Sequence, residues 1–243
     1  MRKILSFFRA ILCWILTILI AVFFIVSIFV GNKRKCWEFW IHAWSKLMLF
    51  TLGIKVKFTG SENIKGPAIF VMNHQSILDI FILPSLAPAN STFIAKKEVS
   101  RIPLVSYVMR SCYSIFVDRK NTESAIASIE IGLKELPIGY SLIMFPEGTR
   151  SKDFQLRPLK KGIFHIAKQS SFPIIPFGCY GIEKLGLGGN NILYQPGTIY
   201  VHVNKKIETA HWTKENLETH LEEISNSIKA ATNVAKDFSK KDS

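Results

Sequence analysis

Ala68-Ile69-Phe70-Val71-Met72-Asn73-His74-Gln75-Ser76-Ile77-Leu78-Asp79 runs from five apolar residues straight into a polar turn. The apolar residues do not alternate with polar ones, so the segment reads as a strand covered on both faces. Strands of that kind belong to parallel sheets packed between helices, and ligands of such sheets sit at the strands' carboxyl ends. A histidine stands at that end, with Asp79 five residues on. If a helix begins between them, the carboxylate can accept from one ring nitrogen and fix the tautomer, leaving the other nitrogen to take a proton. Alone the spacing is unspecific, since such pairs are more often structural. Ser76 is in the turn, but the chain has no G-x-S-x-G elbow. The hydroxyl to be deprotonated is therefore expected to come with a substrate.

Working outward, the same short β-prone runs recur at residues 55–59, 92–95, 114–117, 141–145, 174–178 and 198–203. Helical periodicity fills the gaps. Residues 122–136 place Ile126, Ile129 and Leu133 on one face before Pro137, and 162–169 form a shorter candidate. Residues 214–238 carry Leu217, Leu221, Ile224 and Ile228 on one face, with Thr213 as the expected N-cap. Strands alternating with helices predict an α/β domain over residues 54–238, a mostly parallel sheet covered by helices. The glycine-rich segment 186–196 reads as a mobile loop, and residues 239–243 as a polar tail expected to fray.

Another polar turn follows the strand at 141–145: Phe145-Pro146-Glu147-Gly148-Thr149-Arg150. Gly148 permits a tight turn, and the guanidinium of Arg150 presents a fork suited to phosphate. The bland alternative is a surface Pro-Glu-Gly turn beside a solvated arginine.

Residues 1–53 read as a membrane-embedded or interfacial helical anchor. From 10 to 30 every residue is apolar or small except Thr17 and Ser27. Twenty-one residues at 1.5 Å each give about 31 Å, the thickness of a bilayer's hydrocarbon core. A cleaved signal peptide is disfavoured by the length of the run and by Gly31-Asn32-Lys33-Arg34-Lys35 standing where a cleavage site would be. Arg2, Lys3 and Arg9 before the run balance Lys33, Arg34 and Lys35 after it, so a crossing helix and a returning one are both open. Trp37, Trp40 and Trp44 then fall close to one helical face. They suit a second helix lying at the bilayer surface, the alternative being a core helix packed on the domain.

The chain has 243 residues and a formal charge of +13. Such a balance favours an anionic partner, and a positive face beside anionic lipid accounts for it without nucleic acid, for which no binding module is visible. Cys13, Cys36, Cys112 and Cys179 are scattered, as in a reduced, cytosol-facing protein without a disulfide framework. His42, His165 and His202 have no carboxylate or cysteine at ligand spacing, so no metal site is expected.

Four blocks in order resemble the 1-acyl-sn-glycerol-3-phosphate acyltransferase family. His74-x4-Asp79 matches its H-x4-D block. The apolar strand 114–117 leading to Asp118-Arg119 matches the second block, and Phe145 to Arg150 the F-P-E-G-T-R block. Ile174-Ile175-Pro176-Phe177 is similar to the fourth, with Phe177 where many members carry a small aliphatic residue. Lys96-Lys97-Glu98 and Lys160-Lys161-Gly162 resemble flanking basic segments. The resemblance implies transfer of an acyl group from a thioester to the sn-2 hydroxyl of lysophosphatidate, giving phosphatidate. It makes His74 the general base and Asp79 its orienting partner. Arg119 and Arg150 would bind the acceptor's phosphate, with Lys96 or Lys97 assisting, while Glu147, Gly148, Thr149 and Asn73 support the site. Pro176 would line the donor or acyl-chain pocket. The donor would be acyl-CoA or an acyl carrier protein, with no other cofactor, and the enzyme would sit at a membrane with its catalytic domain in the cytoplasm. Amides near His74 are expected to serve the thioester's oxyanion. Two alternatives stay open: another acceptor, such as a different lysophospholipid or an acylated amino acid, and a non-catalytic, membrane-anchored binding module.

Overall fold

The computed structural model describes residues 2–186 and 195–242. Seven strands form one sheet: β1 (Ile54–Thr59), β2 (Ile69–Met72), β3 (Ser91–Lys96), β4 (Ile115–Val117), β5 (Ser141–Met144), β6 (Ile174–Tyr180) and β7 (Gly197–Val203). All seven coincide with the β-prone runs. Their order is β1-β7-β6-β2-β5-β3-β4. Every pairing is parallel except β6 with β7, so β7 and β1 run against the other five. The chain is thus the expected mostly parallel α/β sheet, with one reversed edge.

Helices cover both faces. On one side lie α2 (Lys33–Leu52) and α3 (Asp79–Leu86), packed on Ala68, Phe70 and Met72 of the β2 segment. On the other lie α5 (Thr122–Glu135), α6 (Gly162–Ser170) and α7 (Leu217–Lys241), packed on Ile69 and Val71. This is why β2 is apolar at every position: each face meets a separate core. Two helices were not read from the sequence, α3 and the short α4 (Pro103–Ser111). A further correction concerns the C-terminus. After a 3-10 turn at Lys214–Asn216, α7 begins at Leu217, and the Thr213 carbonyl accepts the Asn216 amide. The helix also continues through 239–241, and Asp242 accepts from Lys57 Nζ at 2.5 Å and Tyr200 Oη at 2.7 Å. The tail is therefore pinned to the β1–β7 edge where fraying was expected. Near its middle α7 crosses β6 so closely that a Cβ on Gly178 would lie 2.0 Å from the Thr232 nitrogen. The expected loop 186–196 has residues 187–194 outside the described part.

The N-terminal helix α1 (Arg2–Val30) turns at Gly31 and Asn32 into α2, whose first amides are capped by the Asn32 side chain. The two helices form a hairpin. Its inner seam absorbs the tryptophans: Trp44 Nε1 donates to Thr17 Oγ1 and Trp40 Nε1 to Ser27 Oγ, both at 3.2 Å, while Trp37 donates to the Ser91 carbonyl at 2.8 Å. The two polar residues of the apolar run are thus the acceptors of two indoles. The tryptophans thus face α1 and the sheet, while Phe39 and Phe50 of the same helix are more than half exposed. The outer face of α1 is bare. Phe8, Trp14, Phe23, Val26 and Phe29 are all more than half exposed, and Leu5–Val30 has a mean hydropathy of 3.0.

Candidate active site

Because β2, β5, β3 and β4 are neighbours and parallel, their carboxyl ends line one edge of the sheet. That edge receives His74 after β2, Phe145 to Arg150 after β5, Lys96 and Lys97 at the end of β3, and Asp118 and Arg119 after β4. Adjacent strands are about 4.8 Å apart, so residues distant in sequence become neighbours here.

Asp79 is the first residue of α3 and fully buried. Its Oδ2 accepts from His74 Nδ1 at 2.8 Å and from the amides of Gln75 and Ser76 at 2.6 and 2.9 Å. The start of a helix favours a carboxylate through its oriented amides. The network assigns the Nδ1–H tautomer to His74 and leaves Nε2 with its lone pair. Ser76 Oγ is buried and accepts the Leu78 amide, so it is engaged in the turn.

Asn73 works beside it as a clamp. Its side-chain amide donates to the Cys179 carbonyl at 3.0 Å and accepts the Cys179 amide at 2.8 Å. This continues the β2–β6 pairing one residue past Met72.

Glu147 is buried and braces two loops. Oε1 accepts the His74 amide at 2.5 Å and Oε2 the Arg157 amide at 2.8 Å. Burial pushes its carboxyl above the usual carboxylate range, outweighing the pull of the two amides in the other direction. The Ser151 amide donates to the His74 carbonyl at 2.8 Å, and the Gln75 side chain to the Phe154 carbonyl at 2.7 Å. The segment after Arg150 is in this way tied to the His74 turn. These ties correct the expectation about the oxyanion: the amides of His74, Gln75 and Ser76 are all taken by carboxylates.

Gly148 has a φ of 74°, a conformation glycine adopts without strain, and its carbonyl accepts from Arg119 Nη1. Arg119 therefore reaches across from β4 to the turn after β5. Arg150 is half-buried, while Thr149, Lys96 and Lys97 are exposed, with Lys97 paired to Asp118 at 3.2 Å. Pro176 is not brought to this edge. It is buried inside β6 opposite Val71, three residues short of the level of His74. Phe145, quoted in its block but given no role, lies flat against the His74 ring, with centroids 4.2 Å apart and planes within 16°. Among the described residues, no group of three or more His, Cys, Asp or Glu side chains is placed to hold a metal ion.

Comparison with known proteins agrees with this geometry. The family model described as Acyltransferase matches residues 55–180, just over half of the chain. The 1-acyl-sn-glycerol-3-phosphate acyltransferase of Limnanthes douglasii is 36% identical over 75% of this chain and 65% of its own length. The Borreliella burgdorferi protein of the same name is 34% identical over 71% of this chain and 70% of its own. The chain spans a little under two thirds of the length of the plant relatives it matches. The crystal structure of the 1-acyl-sn-glycerophosphate acyltransferase PlsC from Thermotoga maritima superposes with a TM-score of 0.79 over 98% of both chains, at 26% identity. With its H-x4-D pair held at the sheet edge beside the F-P-E-G-T-R turn, the chain belongs to the acyltransferase family that includes the 1-acyl-sn-glycerol-3-phosphate acyltransferases.

Proposed function

We propose that the protein transfers an acyl group from a thioester, on coenzyme A or acyl carrier protein, to the sn-2 hydroxyl of lysophosphatidate, giving phosphatidate. The observation that carries this reading is the buried Asp79 carboxylate on His74 Nδ1, which leaves Nε2 as the proton acceptor. Nε2 takes the acceptor's hydroxyl proton as its oxygen adds to the thioester carbonyl. The tetrahedral species then expels the thiolate, which recovers that proton from the imidazolium. No acyl-enzyme is needed, in keeping with the engaged Ser76. General-base assistance of this kind contributes roughly 10²–10⁴-fold, and holding both substrates in place contributes more.

Arg119 and Arg150, with Lys96 and Lys97 farther along the edge, supply the positive field for the acceptor's phosphate. Glu147 keeps the turns after β2 and β5 in register and takes no proton from substrate, since both its oxygens are held by amides. The bare apolar face of α1 supports a place at a membrane, where the lipid acceptor and product reside; the cytoplasmic side for the catalytic edge is part of the proposal. Phosphate recognition is tested by offering lysophosphatidate and monoacylglycerol to the detergent-solubilised protein. The expected result is strong preference for lysophosphatidate, with KM for it raised by Arg150→Ala. Equal use of monoacylglycerol would contradict the assignment.

A further inference from the structure

His74 is held at several points, and among the described residues one aromatic ring lies against its own. The Glu147 carboxylate takes its amide, the Ser151 amide its carbonyl, and the Asp79 carboxylate Nδ1. The first two fix the backbone. The third pins one ring atom but leaves the imidazole able to swing about that contact, carrying Nε2 out of line. Phe145, stacked at 4.2 Å and 16°, restrains the plane of the ring. It is half-buried and backed by the core around Phe70, Phe81 and Phe177. The stack arises from the fold: Met144 is in register with Val71, so the residue following β5 lies beside the chain leaving β2.

We propose that Phe145 is a positioning residue for the general base, its ring fixing the plane of the imidazole so that Nε2 meets the acceptor hydroxyl. A second effect follows from charge. In the transition state the imidazole gains a proton, and a cation is attracted to an aromatic face more than a neutral ring is. The contact thus strengthens as the reaction proceeds, which is the condition for accelerating it. An aliphatic side chain fills the space without supplying a flat, electron-rich face.

The test compares Phe145→Tyr and Phe145→Leu with the wild-type chain, full length and in detergent, using lysophosphatidate and an acyl-CoA. Its kinetic arm rests on the general-base reading above. The leucine variant is expected to lose about 3- to 30-fold in kcat, the range that a lost aromatic–cation contact implies, with both KM values within about twofold. The tyrosine variant, which keeps the stack, stays within about threefold of wild type by the same reasoning. Unchanged kcat in the leucine variant, or a loss carried by KM, would overturn the proposal. A second arm needs no turnover: carbethoxylation of His74 by diethyl pyrocarbonate, followed by mass spectrometry. The ring is expected to react several-fold faster in the leucine variant and at the wild-type rate with tyrosine. Equal rates in all three would overturn the stack as a restraint, whereas absent turnover in the wild type would count against the proposed reaction alone.

Discussion

Replacing Glu147 by glutamine separates a bracing role from a chemical one. The carboxylate accepts the amides of His74 and Arg157 at 2.5 and 2.8 Å, one on each oxygen, while almost wholly buried. A glutamine of the same shape keeps one acceptor and turns an NH₂ group toward the other amide. One charge-assisted bond of about 1.5–3 kcal/mol is lost and the second weakens to a neutral one. The neutral side chain avoids the desolvation that pushes the carboxyl upward, which returns part of this. A net loss of about 1–3 kcal/mol remains, lowering Tm by roughly 2–10 °C in a chain of this size. The loosened link is the one between the His74 turn and the segment after Arg150, so limited proteolysis near Lys152 or Arg157 should accelerate together with the fall in Tm. Transfer should fall too, and recover in part at lower temperature. Thermal shift, proteolysis and acyl transfer are measured on the same preparation. Loss of kcat by a hundredfold or more with unchanged Tm and proteolysis would refute the bracing argument and assign Glu147 to proton transfer.

Two other predictions bear on the scaffold. Gly178→Ala places a Cβ 2.0–2.6 Å from the backbone of Ala231 and Thr232, so α7 must move off β6; a cost of about 1–3 kcal/mol or more is expected in denaturant unfolding, and an unchanged midpoint would contradict the close crossing. Burial pushes the thiols of Cys112 and Cys179 well above their usual range, so maleimide at pH 7–8 should label Cys36 well before either, and prompt labelling of Cys179 in folded protein would contradict its burial.

The sheet was legible because its strands are short apolar runs closed by turn residues, and a strand covered on both faces needs no partner to be recognised. Helix α3 escaped for the opposite reason: Asp79–Leu86 is apolar nearly all round and contains Pro84, so it shows no stripe. Tryptophans at helical spacing look alike whether they face lipid or another helix; only the approach of Thr17 and Ser27 decides between them. At the site, His74 and Asp79 were readable because their contact spans five residues. The bridge from Glu147 to His74, the stack of Phe145 and the occupied amides depend on β5 lying beside β2, with residues 73–140 and two other strands between them in the chain. Pro176 shows that a block in sequence need not lie beside the catalytic pair: its strand passes the His74 turn, while the residue itself is buried inside the sheet.

The central claim is that His74, oriented by Asp79, removes the proton of a lysophosphatidate hydroxyl. The most direct measurement follows free thiol and phosphatidate together when purified protein meets lysophosphatidate and an acyl-CoA, or an acyl carrier protein thioester, beside His74→Ala checked for an unchanged fold. Stoichiometric thiol and phosphatidate in the wild type, with at least a tenfold loss of both in the variant, is the predicted result and lies within the range a general base supplies. A folded His74→Ala protein that keeps more than a tenth of the activity would contradict it.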